Sequence, residues 1–184
     1  MADKVKFGIK NVHIFPMTAY TSSVPTYGTV IDTPGAVSLS LAAQGDINKF
    51  YADNIVYYQS SANNGYEGDL TVALIPDKVY EDVFGYNKDT NGVITEDASA
   101  EAKAFAMTFE EEGDDTGTKF VLYNCTATRP TRELNTIEDS KTPTTQVLTV
   151  SAAPLKNGEV MAMTSASTPD SVLSGWHSTV YFSS

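Results

Sequence analysis

The residues able to do covalent or metal chemistry are few. The chain has two histidines, His13 and His177, and one cysteine, Cys125. Each histidine falls in a strand-like run with no nucleophile beside it in sequence, so a His–Ser or His–Cys pair has no local support. Cys125 sits inside the apolar run FVLYNCTAT, the setting of a buried, inert thiol rather than an attacking thiolate. Five carboxylates crowd together at Glu110, Glu111, Glu112, Asp114 and Asp115. They have the composition of a paired-carboxylate hydrolase site. Their place at the end of a strand beside a turn reads instead as solvated charge. One stretch imitates a calcium loop. In NKDTNGVITEDA, Asn87, Asp89 and Asn91 take the first, third and fifth positions and Gly92 the sixth, but Ala98 stands where the bidentate acid belongs. Asn91-Gly92 is itself a hairpin turn signal, and a hairpin is the expectation. There is no CxxC, HExxH, phosphate-cradling glycine loop or nucleophile elbow. The sequence therefore predicts no enzyme, no cofactor and no metal.

The bulk composition narrows the class further. At 184 residues and 41% hydrophobic content the chain can bury a core. No run reaches the roughly 18–20 apolar residues of a membrane-spanning helix. MADKVKFGIK lacks the apolar segment of a signal peptide, and a single cysteine forbids an internal disulfide, which together predict synthesis in a reducing cytoplasm. Net charge is −11, and fourteen of the 23 acids lie between Glu67 and Asp115 against three lysines. Tight nucleic-acid binding needs a cationic surface, and this charge argues strongly against it. An acidic surface can still stay near DNA without adhering to it.

The elements that must position these groups are mostly strands. From Glu67 to Ile75 polarity alternates, with Leu70, Val72 and Leu74 on one face and Glu67, Asp69, Thr71 and Ala73 on the other. Pro76 stops the strand and opens a helix, in which Val79 with Val83 and Tyr80 with Phe84 form one apolar stripe, and Gly85 ends it. Two turns are marginal alone, so the stripe must pack on a sheet. Val5 to Phe15 opens the fold as a strand whose parity switches near Asn11, predicting a bulge, and Pro16 is expected to end it. Met17 to Gly35 reads as a long loop, or as a hairpin arm that is fixed only against a neighbour. Ala36 to Gln44 is a strand with Val37, Leu39 and Leu41 on one side and Ser38, Ser40 and Ala42 on the other. Lys49 to Tyr58 continues as strand-like sequence rich in aromatics, and SSANNG after it reads as an exposed turn.

Further on, Lys103 to Glu112 and Lys119 to Thr128 read as a β-hairpin. Phe105, Met107 and Phe109 face the core, and Ala104, Ala106, Thr108 and Glu110 face out. Arg129 to Pro143 is a polar loop. Thr144 to Ser151 is a strand, Val160 to Thr164 pairs back across the Asn157-Gly158 turn, Ser165 to Ser174 connects, and Trp176 to Phe182 is a last short strand anchored by the only tryptophan. The predicted class is mainly β: two packed antiparallel sheets, a sandwich or partly open barrel, with one short flanking helix around residues 77–84. Residues 1–184 form a single domain with the arm at about 17–35.

Several segments, in order, carry a family resemblance: KFGIKNVHIFPM, FYADN, GYEGDLTVALIPDKVYEDVFGY, NGVITED, TATRPTRELNT and PTTQVLTVSAAPLKNGEVM. The sequence resembles the major tail protein, or tail tube subunit, of long-tailed non-contractile bacteriophages. The resemblance implies a tail-tube fold, hexameric rings stacked head to tail, and a continuous inner β-barrel around a channel. It implies as partners further copies of the chain, a tape measure protein, tail terminator and tail tip proteins, and double-stranded DNA that passes without specific binding. It implies a place in the virion tail, reached from the host cytoplasm, and no catalytic residues. On this reading Ser38, Ser40, Glu67, Asp69 and Thr71 line the channel. Ser22, Ser23, Val24, Pro25, Thr26, Tyr27 and Gly28 make the ring-stacking contact, with Asn54 to Gly65 and Arg129 to Lys141 as the next candidates. Other readings of the same composition are a capsid decoration or baseplate β-sandwich, and a carbohydrate-binding module using Tyr57, Tyr58 and Tyr66.

Overall fold

The computed structural model describes residues 8–113, 117–134, 136 and 143–183. The expectations placed on Val5, Phe7, Asp114, Asp115 and most of the stretch 135–142 lie outside them. In chain order the elements begin with β1 (Gly8–Ala19), β2 (Thr26–Tyr27), β3 (Ile31–Asp32) and β4 (Ala36–Gln44). Then come β5 (Ile47–Ala52), β6 (Ile55–Ser61), β7 (Gly65–Val72) and α1 (Asp77–Asp82). The second half holds β8 (Asn87–Lys88), β9 (Ile94–Thr95), β10 (Phe105–Glu112), β11 (Lys119–Ala127), β12 (Gln146–Ala152), β13 (Met161–Met163) and α2 (Asp170–Leu173).

The protein is mainly β, as its patterning predicts. One antiparallel sheet runs β2-β1-β10-β11-β12-β7-β4, with β13 beside β11 and β3 beside β1. It curls until β1 and β4 pack against each other, but no ladder joins them, so the barrel stays open. The two walls enclose one core. Val12, Ile14, Phe105, Met107 and Leu122 come from one wall, and Leu70, Val72, Leu148 and Val150 from the other. Each such side chain contributes about 1.5–3 kcal/mol by leaving water. α1 closes one end. Pro76 precedes its first turn, Val79, Tyr80, Val83 and Phe84 are buried, and Gly85 at φ +71° lets the chain turn away.

The bulge in β1 is present. Asn11 has φ +52°, and the pairing with β10 shifts between Lys10 and His13. Several expectations fail for identifiable reasons. Pro16 does not end β1. Proline lacks only a donor, and its carbonyl still accepts from the Gly28 amide at 2.8 Å. The segment from Met17 to Gly35 is held by its own chain, because β2 and β3 both pair with β1 and Pro25, Ile31 and Thr33 are buried. β7 stops at Val72. The chain bends there, so Leu74 is exposed and Ile75 takes the core position. Val37 is likewise exposed, at a bulge between Ala36 and Ser38.

In β10 the outward face is not outward. Ala106, Thr108 and Glu110 are buried, because the C-terminal segment covers them. That segment is not a strand either. It forms α2 and a run of turns, in which Trp176 donates from Nε1 to the Phe120 carbonyl at 3.1 Å and packs with Val121, Tyr123 and Leu155. Trp176 does anchor the C-terminus. β13 pairs with β11 rather than with β12.

Candidate assembly surfaces

The five residues expected on a channel wall do come together. Antiparallel partners share a face, and the registers place Ser38 beside Thr71 and Ser40 beside Asp69. The rows continue into β12: Thr71 faces Val147, Asp69 faces Thr149, and Glu67 faces Ser151. Ser38, Ser40, Glu67 and Asp69 are exposed, and Thr71 is half-buried. Thr149 donates from its hydroxyl to Asp69 Oδ1 at 2.7 Å, which fixes that carboxylate in the middle of the surface. The three strands carry no lysine or arginine. Their opposite face carries Leu70, Val72, Leu148 and Val150 into the core. The sheet is close-set at Gly68, where a Cβ would stand 1.7 Å from the Ser40 carbonyl oxygen. The result is a polar, anionic ladder three strands wide.

β4 and β7 do not end where this ladder ends. They continue through a bend into β5 and β6, so residues 36–72 are one long ribbon. The bend is closed by backbone bonds from Asn64 to Gln44 at 2.8 Å and from Ala62 to Asp46 at 3.1 Å. Gly65 makes it possible. Its φ is +100°, and a Cβ there would lie 1.8 Å from the Ala152 carbonyl oxygen. Beyond the bend, β5 and β6 pair only with each other among the described residues. Ile47, Phe50, Tyr51, Ile55, Val56, Tyr57 and Tyr58 are 45–72% exposed. Phe50 faces Tyr58 on one side of the hairpin and Tyr51 faces Val56 on the other, so both sides are apolar. A bare two-stranded ribbon with this much apolar surface is marginal in water and marks an interaction site.

This hairpin is what sequence reasoning missed. Lys49 to Tyr58 is not one strand but two, turned at Asp53-Asn54, where both residues have positive φ (53° and 62°). The signal was present: Asx residues tolerate that conformation, and two in succession between apolar runs make a type I′ turn. The predicted stacking segment is a smaller surface. Ser22, Ser23, Val24 and Thr26 are exposed, but Pro25 is buried, Gly28 is half-buried, and the Tyr27 hydroxyl donates to the Tyr123 carbonyl at 2.6 Å.

The two histidines, far apart in sequence, meet. Their rings stack with centroids 4.8 Å apart. The His177 Nδ1 lies 3.0 Å from the Thr108 hydroxyl, and its Nε2 lies 3.6 Å from Glu110. Burial pushes the His177 pKa down to about 4, helped by neighbouring His13 and Lys119. Glu110 is not solvated as expected. Burial raises its pKa, but Asn11, Lys119 and Lys10 outweigh that and hold it below the ordinary carboxylate range. The cluster ties the β1 bulge, β10, β11 and the C-terminal segment together, and Thr108 is fully buried within it. Cys125 is buried, and desolvation pushes its thiol pKa upward. The calcium-like stretch is the hairpin of β8 and β9. Asp89 Oδ1 accepts from the Asn91 and Val93 amides at 2.8 and 2.9 Å, so this carboxylate is used by the turn itself.

Comparison with known proteins gives a structural and a family likeness. No curated protein matches the chain. Among solved structures it is similar to the cryo-EM structure of the anti-feeding prophage (AFP) baseplate, 6-fold symmetrised. The identity is 10%, the TM-score is 0.45, and 89% of this chain and 97% of that one are covered. A family model described as phage tail tube protein matches residues 3–178. That match takes in both halves of the ribbon and almost everything else, and the chain belongs to the phage tail tube protein family.

Proposed function

We propose that this phage tail structural protein forms hexameric rings that stack head to tail into a hollow tube, the conduit for DNA ejection. The observation that carries the reading is the division of the ribbon over residues 36–72. Its proximal half offers a small, polar, anionic face. Its distal half offers apolar surface that the described residues of its own chain leave uncovered. Ser38, Ser40, Glu67, Asp69 and Thr71 line the bore, where fixed carboxylates repel phosphates and keep DNA from adhering. β4, an edge strand in the isolated chain, pairs with a neighbouring copy, which removes an aggregation-prone edge. The β5–β6 hairpin makes the main contact between copies, and the tip at Ser22 to Gly28 makes a second, smaller one. A tape measure protein fills the bore during assembly, and terminator and tip proteins cap its ends. The subunits are made in the host cytoplasm, and no step requires catalysis.

The test is electron microscopy of the purified protein across a range of concentrations. Hollow filaments of uniform width are the expected result. Discrete closed rings at every concentration would favour a decoration or baseplate role, and glycan binding by the monomer through Tyr57 and Tyr58 would favour a carbohydrate module. Replacing Glu67 and Asp69 by lysine should leave tubes intact and slow DNA passage. Normal ejection from such virions would reject the bore assignment.

A further inference from the structure

An open head-to-tail stack needs two different patches that fit each other. The hairpin of β5 and β6 is one patch. Resting on the stacked reading, we infer that its receptor is the pocket beside α1 at the opposite pole, and that Asp53 of one copy pairs with Arg132 of the next. The two features sit at opposite ends of β7. The hairpin joins it at Gly65, and α1 follows Val72, roughly 23 Å away at ~3.3 Å per residue.

The pocket holds about 480 Å³ and is lined by Tyr80, Tyr86, Glu96 and the turn from Thr128 to Arg132. Both arginines of the chain are there. Arg129 is bound to Glu96 at 2.6 Å, and Glu96 also takes a hydrogen bond from Tyr86. Arg132 is exposed and stands 5.8 Å from the centre of the Tyr80 ring. The pocket thus offers an aromatic floor and a cation on its rim. The hairpin tip offers the complement. Asp53 is exposed in the turn at φ +53°, with Tyr51, Val56 and Tyr57 exposed just behind it. A carboxylate on Arg132 with aromatic side chains against Tyr80 matches charge to charge and apolar to apolar. In a chain of net charge −11, a cationic rim also keeps the two docking ends from repelling.

Two experiments separate this assignment from the tube itself. In sedimentation of the full chain, Asp53→Arg and Arg132→Asp should each raise the concentration needed for polymerisation about tenfold or more. The double variant should recover it. Single variants that assemble like the parent, or a double variant no better than either single, overturn the pairing while leaving the tube reading intact. Independently of polymerisation, labelled full-length Arg132→Asp, whose own hairpin is intact, is titrated with unlabelled full-length chain below its polymerising concentration and followed by anisotropy. It should bind the parent, and bind unlabelled Arg132→Asp at least about tenfold more weakly. Equal binding to parent and variant, or no binding to either, overturns the receptor assignment even if tubes form.

Discussion

The proximal and distal halves of the ribbon are made of the same strands and solve opposite problems. β4 and β7 bury one face and wet the other, and apart from Val37 at its bulge their exposed positions are Ser, Glu, Asp, Ala and Gln. β5 and β6 bury neither face, yet carry Ile, Phe, Tyr and Val. Alternation marks a strand whose second layer lies in its own chain. Its loss, with aromatic side chains on both faces, marks a strand whose second layer lies in another molecule. On the proposed reading, polarity pattern along one ribbon records where intramolecular packing stops and assembly begins.

The sharpest way to break that contrast is to make the distal half resemble the proximal one. Replacing Phe50, Tyr51, Tyr57 and Tyr58 together by serine should abolish polymerisation. It should leave the thermal midpoint of the monomer nearly unchanged, because these side chains are exposed in it. Electron microscopy and calorimetry of one preparation read both outcomes. The next largest effect lies at the bend. Gly65→Ala forces a methyl group toward the Ala152 carbonyl at a φ that alanine avoids. We expect it to cost about 3 kcal/mol or more by chemical denaturation. Gly92→Ala also has positive φ but meets nothing within 4 Å, and it should cost only about 1 kcal/mol.

Legibility followed the same division. The strand at 36–44, α1 with its proline start and glycine stop, the bulge at Asn11, and the β8–β9 and β10–β11 hairpins were readable, because local period and turn chemistry decide them. The polar ladder was readable for the same reason: Ser38, Ser40, Glu67, Asp69 and Thr71 alternate with apolar neighbours. What escaped depended on distant segments. Thr108 and Glu110 alternate like surface residues, and are buried only because the C-terminal segment returns across them. The histidine pair has a sequence separation no local pattern can encode. The Asp53-Asn54 turn escaped because aromatic side chains on both sides of it hid the change of direction.

That distant cluster supplies a control on the body of the protein. His177 has a folded pKa of about 4 against an ordinary value near 6.5. The unfolded chain therefore takes up the proton first as pH falls. Stability from this group is fully present above about pH 6.5 and is lost progressively down to pH 4. The loss should reach about 2–3 kcal/mol in denaturation midpoints measured across that range. His177→Gln should flatten the profile. An unchanged acid slope would mean that other groups dominate it.

The smallest expected effect tests the proximal half alone. Thr149 and Asp69 are joined by a hydrogen bond on the wet face, in the middle row of the ladder. Thr149→Val keeps the shape and removes the donor. Asp69 is exposed, so water replaces the lost partner, and the monomer should be weakened by no more than about 1 kcal/mol. The carboxylate is then free to sample other rotamers. If its charge matters to passing DNA only through the field of the whole wall, ejection from Thr149→Val virions should be unaltered, whereas the double lysine variant is slow. If ejection from the threonine variant is slowed as well, the held orientation of one carboxylate matters more than net wall charge. The proximal face would then be a positioned surface, like the distal one, and not merely a wet one.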